Sequence, residues 1–202
     1  MESNGFFITG TDTDVGKTVS AARMLLHLNG VYWKPIQVGI KEKDEDVVRR
    51  LTEYGDEHFF HSTYTLTQPV SPNEAARRDG VEIEMERFVL PKTNRPLIVE
   101  GAGGLLVPLN SRELIIDLII LLGLPVILVC RSTIGTINHT LLSLEALQHR
   151  KIKVAGLIIN GPHVKHNLNI IKEFGRIPII AEMDMLSPLN KQMLLKVDIF
   201  NV

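Results

Sequence analysis

Short runs of Val, Ile and Leu alternate along most of the chain with stretches in which apolar residues recur every three or four positions. The runs read as strands buried on both faces, the longer stretches as amphipathic helices. Residues 6–9 form the first run. A glycine-containing loop follows, and then the spacing predicts a helix over 18–28, with apolar side chains at 21, 22, 24, 25 and 28. Residues 31–34 return to strand character. A helix over 44–51 opens on acidic residues, which suit the positive end of a helix dipole. The middle, 54–95, is patterned more weakly: a polar turn at 68–72, a helix from Pro72 to Arg78 with Ser71 as N-cap, and an apolar, charged stretch near 85–90. From Leu97 the alternation sharpens. Strands are expected at 97–99, 126–130, 154–159 and 177–180, and helices at 113–122, 136–149 and 166–174.

Strands of this kind separated by helices argue for an α/β fold, a doubly wound, mainly parallel sheet with helices on both faces. No internal repeat, low-complexity tract or linker divides the chain, so a single domain over 1–202 is expected.

Composition narrows the functional classes. Lys and Arg number 22 against 23 Asp and Glu, so nothing draws the chain to a nucleic-acid backbone. Aromatic residues, at 5%, leave few platforms for stacked bases. The lone Cys130 excludes a disulfide framework and a Cys-rich zinc site. The start has neither a basic segment nor a long apolar one, so no secretory signal is expected. The greasiest stretch, 114–130, is interrupted by Asp117, Gly123 and Pro125 and does not read as one membrane span. A soluble, cytoplasmic protein is the expectation, without membrane or nucleic-acid partners.

Ligands of such sheets bind beyond the carboxyl ends of the strands. The segment Gly10-Thr-Asp-Thr-Asp-Val-Gly-Lys-Thr18 lies there, between a predicted strand and a predicted helix. It reads as a phosphate-binding loop: backbone N–H groups and the helix dipole wrap phosphate, Lys17 reaches the outer oxygens, and Thr18 offers a hydroxyl to Mg²⁺. Its first glycine, Gly10, comes one position earlier than the strict pattern requires. Glu100 closes another strand, and Gly-Ala-Gly-Gly follows it; a carboxylate there suits Mg²⁺. Lys34 ends an apolar strand, where a cation facing phosphate competes with a snorkelling lysine. Taken alone, Asp46 reads better as an acid serving the helix dipole. The His58/His61 and His163/His166 pairs have no carboxylate or thiol partner at ligand spacing and read as surface residues. Cys130 reads as a core thiol.

Together these residues resemble the dethiobiotin synthetase family. The resemblance rests on the phosphate loop, Lys34-Pro-Ile-Gln37, Val99-Glu-Gly-Ala-Gly-Gly104 with Val107-Pro-Leu109, Leu124-Pro-Val-Ile-Leu-Val129 and Gly135-Thr-Ile-Asn-His-Thr140, and runs in order from Phe6 to Met185. It implies an ATP- and Mg²⁺-dependent cyclo-ligase that joins CO₂ to 7,8-diaminononanoate, closing the ring of dethiobiotin through a carbamate and a carbamic–phosphoric anhydride. By the same resemblance Lys17, Lys34 and Thr13 are catalytic, and Thr18, Asp46 and Glu100 hold Mg²⁺. Asp14, Val15, Gly16 and Val19 would bind phosphates, with Gly101, Ala102 and Gly103 beside them. Adenine would lie near Asn160, Gly161, Met183, Asp184 and Met185. The family's homodimers place the diamine at the interface, with Val38 and the helix start at Gly135, Thr136 and Asn138 around it.

Val38 stands where the family offers a hydroxyl, Asn73 where it has His, and Asp184 where it has Pro, and the segment 75–97 is shorter than usual. Two alternatives stay open. One is another P-loop ATP-dependent ligase or amide synthetase, although 202 residues leave no room for the glutaminase domain those usually carry. The other is a regulatory P-loop ATPase. Against it, the only Asn-Lys pair, Asn190-Lys191, lacks the Asp a guanine switch would want, and no second lysine opens the loop.

Overall fold

The computed structural model describes residues 4–200. Its frame is a seven-stranded sheet whose hydrogen-bonded neighbours all run parallel. In chain order the elements begin with β1 (Gly5–Gly10), α1 (Lys17–Leu28), β2 (Val31–Trp33), β3 (Ile36–Val38) and α2 (Asp44–Thr52). Then come β4 (Phe59–Phe60), β5 (Tyr64–Leu66), α3 (Pro72–Asp79), β6 (Leu97–Gly104) and α4 (Ile115–Leu122). The chain continues through β7 (Val126–Arg131), α5 (Thr136–His149), β8 (Val154–Asn160), α6 (Lys165–Gly175), β9 (Ile179–Met183) and α7 (Lys191–Leu195). Strand order across the sheet is β4-β2-β6-β1-β7-β8-β9, and β3 and β5 form a separate parallel pair.

The two-residue period of a strand sends successive side chains to opposite faces, and here it divides the core in two. Phe7, Val31, Trp33, Leu97, Val99 and Leu128 face one way and pack on α4, α5 and α6. Ile8, Tyr32, Ile98, Ile127 and Val129 face the other way, against α1, α2 and α7. Because both faces are covered, the central strands carry almost no polar residues, which is why they stood out in the sequence.

Differences from the sequence reading cluster in the middle. β3, β4 and β5 are two or three residues long, too short to carry a periodic pattern. β6 runs five residues past Val99, carrying Glu100 and the glycines as part of the strand. Ser71 precedes α3 as expected, but its side chain makes no capping bond; Pro72 sits in the first turn. Among the described residues no helix is long and apolar enough to cross a membrane.

Candidate active site

The loop between β1 and α1 closes tightly because of one glycine. Gly16 has φ +94° in the left-handed region, and a Cβ there would collide with the Asn160 amide. That amide donates to the Val15 carbonyl at 3.0 Å, tying the loop to the end of β8. The Val15 side chain is buried in the core, so only its backbone is available to a ligand. Lys17 Nζ donates back to the Asp12 carbonyl at 2.9 Å. Asp12 also accepts from Thr13 N at 2.7 Å and, through its other oxygen, from Arg131 at 2.6 Å.

Beyond the loop opens a cavity of about 800 Å³. Gly16, Lys17, Thr18 and Val19 line its base, and Thr13 and Asp14 also face it. Gly101, Ala102 and Gly103 from β6 form a second side; Val38, Pro69, Val70, Pro72 and Val107 supply an apolar one. Lys34, Asp44 and Glu100 enter it together.

These three charges are assembled by strand register. Trp33 of β2 lies opposite Val99 of β6, so the following Lys34 arrives beside Glu100. Lys34 Nζ is 2.5 Å from Asp44 Oδ2, 3.3 Å from Glu100 Oε1 and 3.2 Å from the Gly101 carbonyl. The lysine does not snorkel: it is only 4% exposed. Thr18 Oγ1 lies 2.8 Å from Glu100 Oε1 and 3.1 Å from Asp44 Oδ1. One hydroxyl proton can be given to only one of these carboxylates at a time, so oxygens of Thr18, Asp44 and Glu100 converge beside the Lys34 ammonium. The second Glu100 oxygen accepts from the Tyr32 hydroxyl at 2.8 Å.

Burial works against the Lys34 charge, but Glu100 and Asp44 outweigh it and hold the ammonium above the ordinary lysine range. Burial lowers Lys17, with Glu100 pulling the other way. Burial pushes Glu100 up, against the pull of Lys34, Thr18 and Tyr32. Burial, reinforced by Glu100 and Asp44, lifts the Tyr32 phenol well above its usual value.

The structure sets one expected site residue apart from the others. Asp46 is exposed and has no contact with Thr18, Lys34 or Glu100; Asp44 stands in the cavity instead. The helix begins at Asp44, and two residues along a helix amount to a rotation of about 200°, which turns Asp46 to the opposite side. The signal that fixes this start is remote: Gln37 Oε1 accepts from Asp44 N at 3.2 Å, while Lys43, in the N-cap position, makes no side-chain bond. Tyr32 and Arg131 were also missed, one hidden in an apolar strand and the other at the end of β7.

Among the nucleotide-side candidates, Asn160, Gly161 and Met183 meet near the loop. Gly161 N donates to the Met183 carbonyl at 2.8 Å, and Met183 Sδ lies 3.8 Å from Ser20 Oγ on α1. Asp184 and Met185 are exposed beyond them. Gly135, Thr136 and Asn138 open α5 outside the cavity. Next to that helix a smaller groove of about 400 Å³ shares Thr13 and Val107 with the main cavity and is closed by His139 and Leu142.

A parallel sheet with this loop at its centre places the chain among the P-loop nucleotide-binding proteins. Residues 4–193 match a protein family described as an AAA domain. Solved structures agree on the fold. The ParA family ATPase of Chlorobium tepidum has a TM-score of 0.55 at 11% identity, over 96% of this chain and 90% of that one. The MinC:MinD complex of Aquifex aeolicus gives 0.52 at 13%, over 95% and 85%.

Sequence relatives are more specific. The ATP-dependent dethiobiotin synthetase of Paramagnetospirillum magneticum is 46% identical over 90% of this chain and 88% of its own length. That of Brucella melitensis biotype 2 is 43% identical over 93% and 89%. The biotin biosynthesis bifunctional protein of Bordetella avium is 47% identical over 93% of this chain, which spans 41% of that longer protein. The chain belongs to the dethiobiotin synthetase family.

Proposed function

We propose that the protein is an ATP-dependent cyclo-ligase of biotin biosynthesis, joining CO₂ to 7,8-diaminononanoate to give dethiobiotin, ADP and phosphate. The observation that carries this reading is the meeting of Lys17 and Lys34, from different elements, with Thr18, Asp44 and Glu100 in one cavity beside a phosphate loop.

The donor set fits a hard divalent cation. A hydroxyl and two carboxylates, with phosphate oxygens to complete the shell, are what Mg²⁺ takes. Thr18, Asp44 and Glu100 would hold it, and bound there it would offset the negative charge of the triphosphate.

In this reading one substrate amine takes up CO₂ and loses a proton, giving a carbamate. A carbamate oxygen attacks the γ-phosphorus, and the bond to ADP breaks. The second amine then attacks the carbamoyl carbon and phosphate leaves as the ring closes. The chain contributes positioning and charge, the main demands of phosphoryl transfer. Lys17 neutralises the outer phosphate oxygens, and Lys34 the carbamate and the group in transfer. Thr13 hydrogen-bonds near the carbamate. Val38, Pro69, Val70 and Val107 pack on the methylene chain, and Val38 contributes no hydroxyl. Phosphates rest on Asp14, Val15, Gly16 and Val19 with Gly101, Ala102 and Gly103 alongside. The base lies toward Asn160, Gly161, Met183, Asp184 and Met185.

The enzyme works as a homodimer, with the diamine carboxylate at the partner's helix start formed by Gly135, Thr136 and Asn138, where the positive end of the helix dipole suits an anion. It acts in the cytoplasm. The test is formation of dethiobiotin from ATP, Mg²⁺, bicarbonate and 7,8-diaminononanoate, with loss of product when any one is omitted. ATP consumption without dethiobiotin under these conditions would favour another ligase or a regulatory ATPase.

A further inference from the structure

We propose that Tyr32 is a positioning residue of the phosphate site: its hydroxyl fixes the Glu100 carboxylate so that one chosen oxygen faces the cavity as a cation ligand. This rests on the reading that Glu100 helps to hold the metal.

The two oxygens of Glu100 have different neighbours. Oε2 accepts only from the Tyr32 hydroxyl, at 2.8 Å. Oε1 meets Thr18 at 2.8 Å and Lys34 at 3.3 Å, on the cavity side. Tyr32 is wholly buried and Glu100 is 1% exposed, so no solvent competes for Oε2. Strand register brings them together. Tyr32 lies opposite Ile98, two residues before Glu100, so all three side chains share one face of the sheet. The ring is braced edge-on against Phe59 at 5.8 Å, on the edge strand beyond β2.

A phenol in an apolar strand has ample room to be a phenylalanine unless its oxygen is needed. Without the hydroxyl, Oε2 would be a buried acceptor with no donor. The carboxylate would then turn to share Thr18 or Lys34 between both oxygens, and the cavity would lose a fixed ligand. Groups that orient metal ligands from behind commonly change metal affinity by 10- to 100-fold.

The experiment measures Mn²⁺ binding to the ADP-loaded protein by electron paramagnetic resonance, with no turnover involved. Tyr32→Phe should raise the Mn²⁺ dissociation constant about tenfold and lower the melting temperature by a few degrees as Oε2 loses its donor, while metal-free ADP binding stays close to the parent's. Glu100→Gln should weaken Mn²⁺ binding by itself, and adding Tyr32→Phe to it should cost nothing further. Parental Mn²⁺ affinity in Tyr32→Phe, beside a weakened Glu100→Gln, overturns the role given to Tyr32. Parental affinity in Glu100→Gln overturns the metal reading beneath it. If Tyr32→Phe loses metal-free ADP binding, the tyrosine is a core residue and the proposal is wrong.

Discussion

Lys34 and Asp44 form an ion pair of 2.5 Å that joins the end of β2 to the first residue of α2. Asp44 is thereby held in the cavity from two directions, since its backbone N–H also donates to Gln37. Asp44→Asn should lower dethiobiotin formation by about a hundredfold or more, the usual scale for one electrostatic contact in a transition state. Asp46→Asn should leave the rate within about twofold, as surface substitutions usually do. Steady-state rates across a Mg²⁺ titration separate the two; equal losses would return Asp46 to the site.

Lys17→Ala should abolish measurable turnover, because a preorganised cation on developing phosphoryl charge is worth about 3–4 kcal/mol. The Asp12 carbonyl loses only a donor at a part-buried position, so the fold should survive. Circular dichroism alongside the rate assay checks both halves.

Lys34 carries stability as well as chemistry. Removing one partner of a buried pair costs about 3 kcal/mol or more, so Lys34→Met should lower the melting temperature of the ligand-free protein by several degrees. The folded state holds this ammonium above the ordinary value of 10.5. Its contribution is therefore complete below that pH and is lost as pH rises through the folded value. Parent and variant should differ in melting temperature at pH 7 and converge in the alkaline range above 10.5; a constant gap would show that the lysine stabilises by packing.

Cys130 should be inert in the native protein. It is fully buried, and burial pushes its thiol up to about 12. Ellman's reagent should titrate no thiol under native conditions and one per chain in denaturant. Rapid native labelling would mean that α5 opens away from β7.

The sheet was legible because strands covered on both faces cannot hide: nearly every residue of 126–130 is apolar. The phosphate loop was legible because Gly16, Lys17 and Thr18 are contiguous. Asp44 was not, because choosing between two acids a pair of residues apart requires the helix start, and Gln37 sets that from seven residues away. Tyr32 was invisible for the opposite reason. In a buried strand its ring satisfies the apolar pattern, and nothing local reveals that its oxygen has a partner in β6.

The sheet order has a consequence for biosynthesis. β6 stands between β2 and β1, although it is made long after both. When the first ninety-five residues have left the ribosome, the strands bearing Lys34 and the phosphate loop have no direct backbone pairing to hold them side by side. Chains emerge N-terminus first at about 5–20 residues per second, so for several seconds the nascent protein has both halves of its phosphate grip and no means of closing it. Insertion of Leu97–Gly104 joins β2 to β1 and delivers Glu100 in the same event. Until that strand is in place Lys34 has no Glu100 beside it, so the charge cluster and the sheet that carries it are built together.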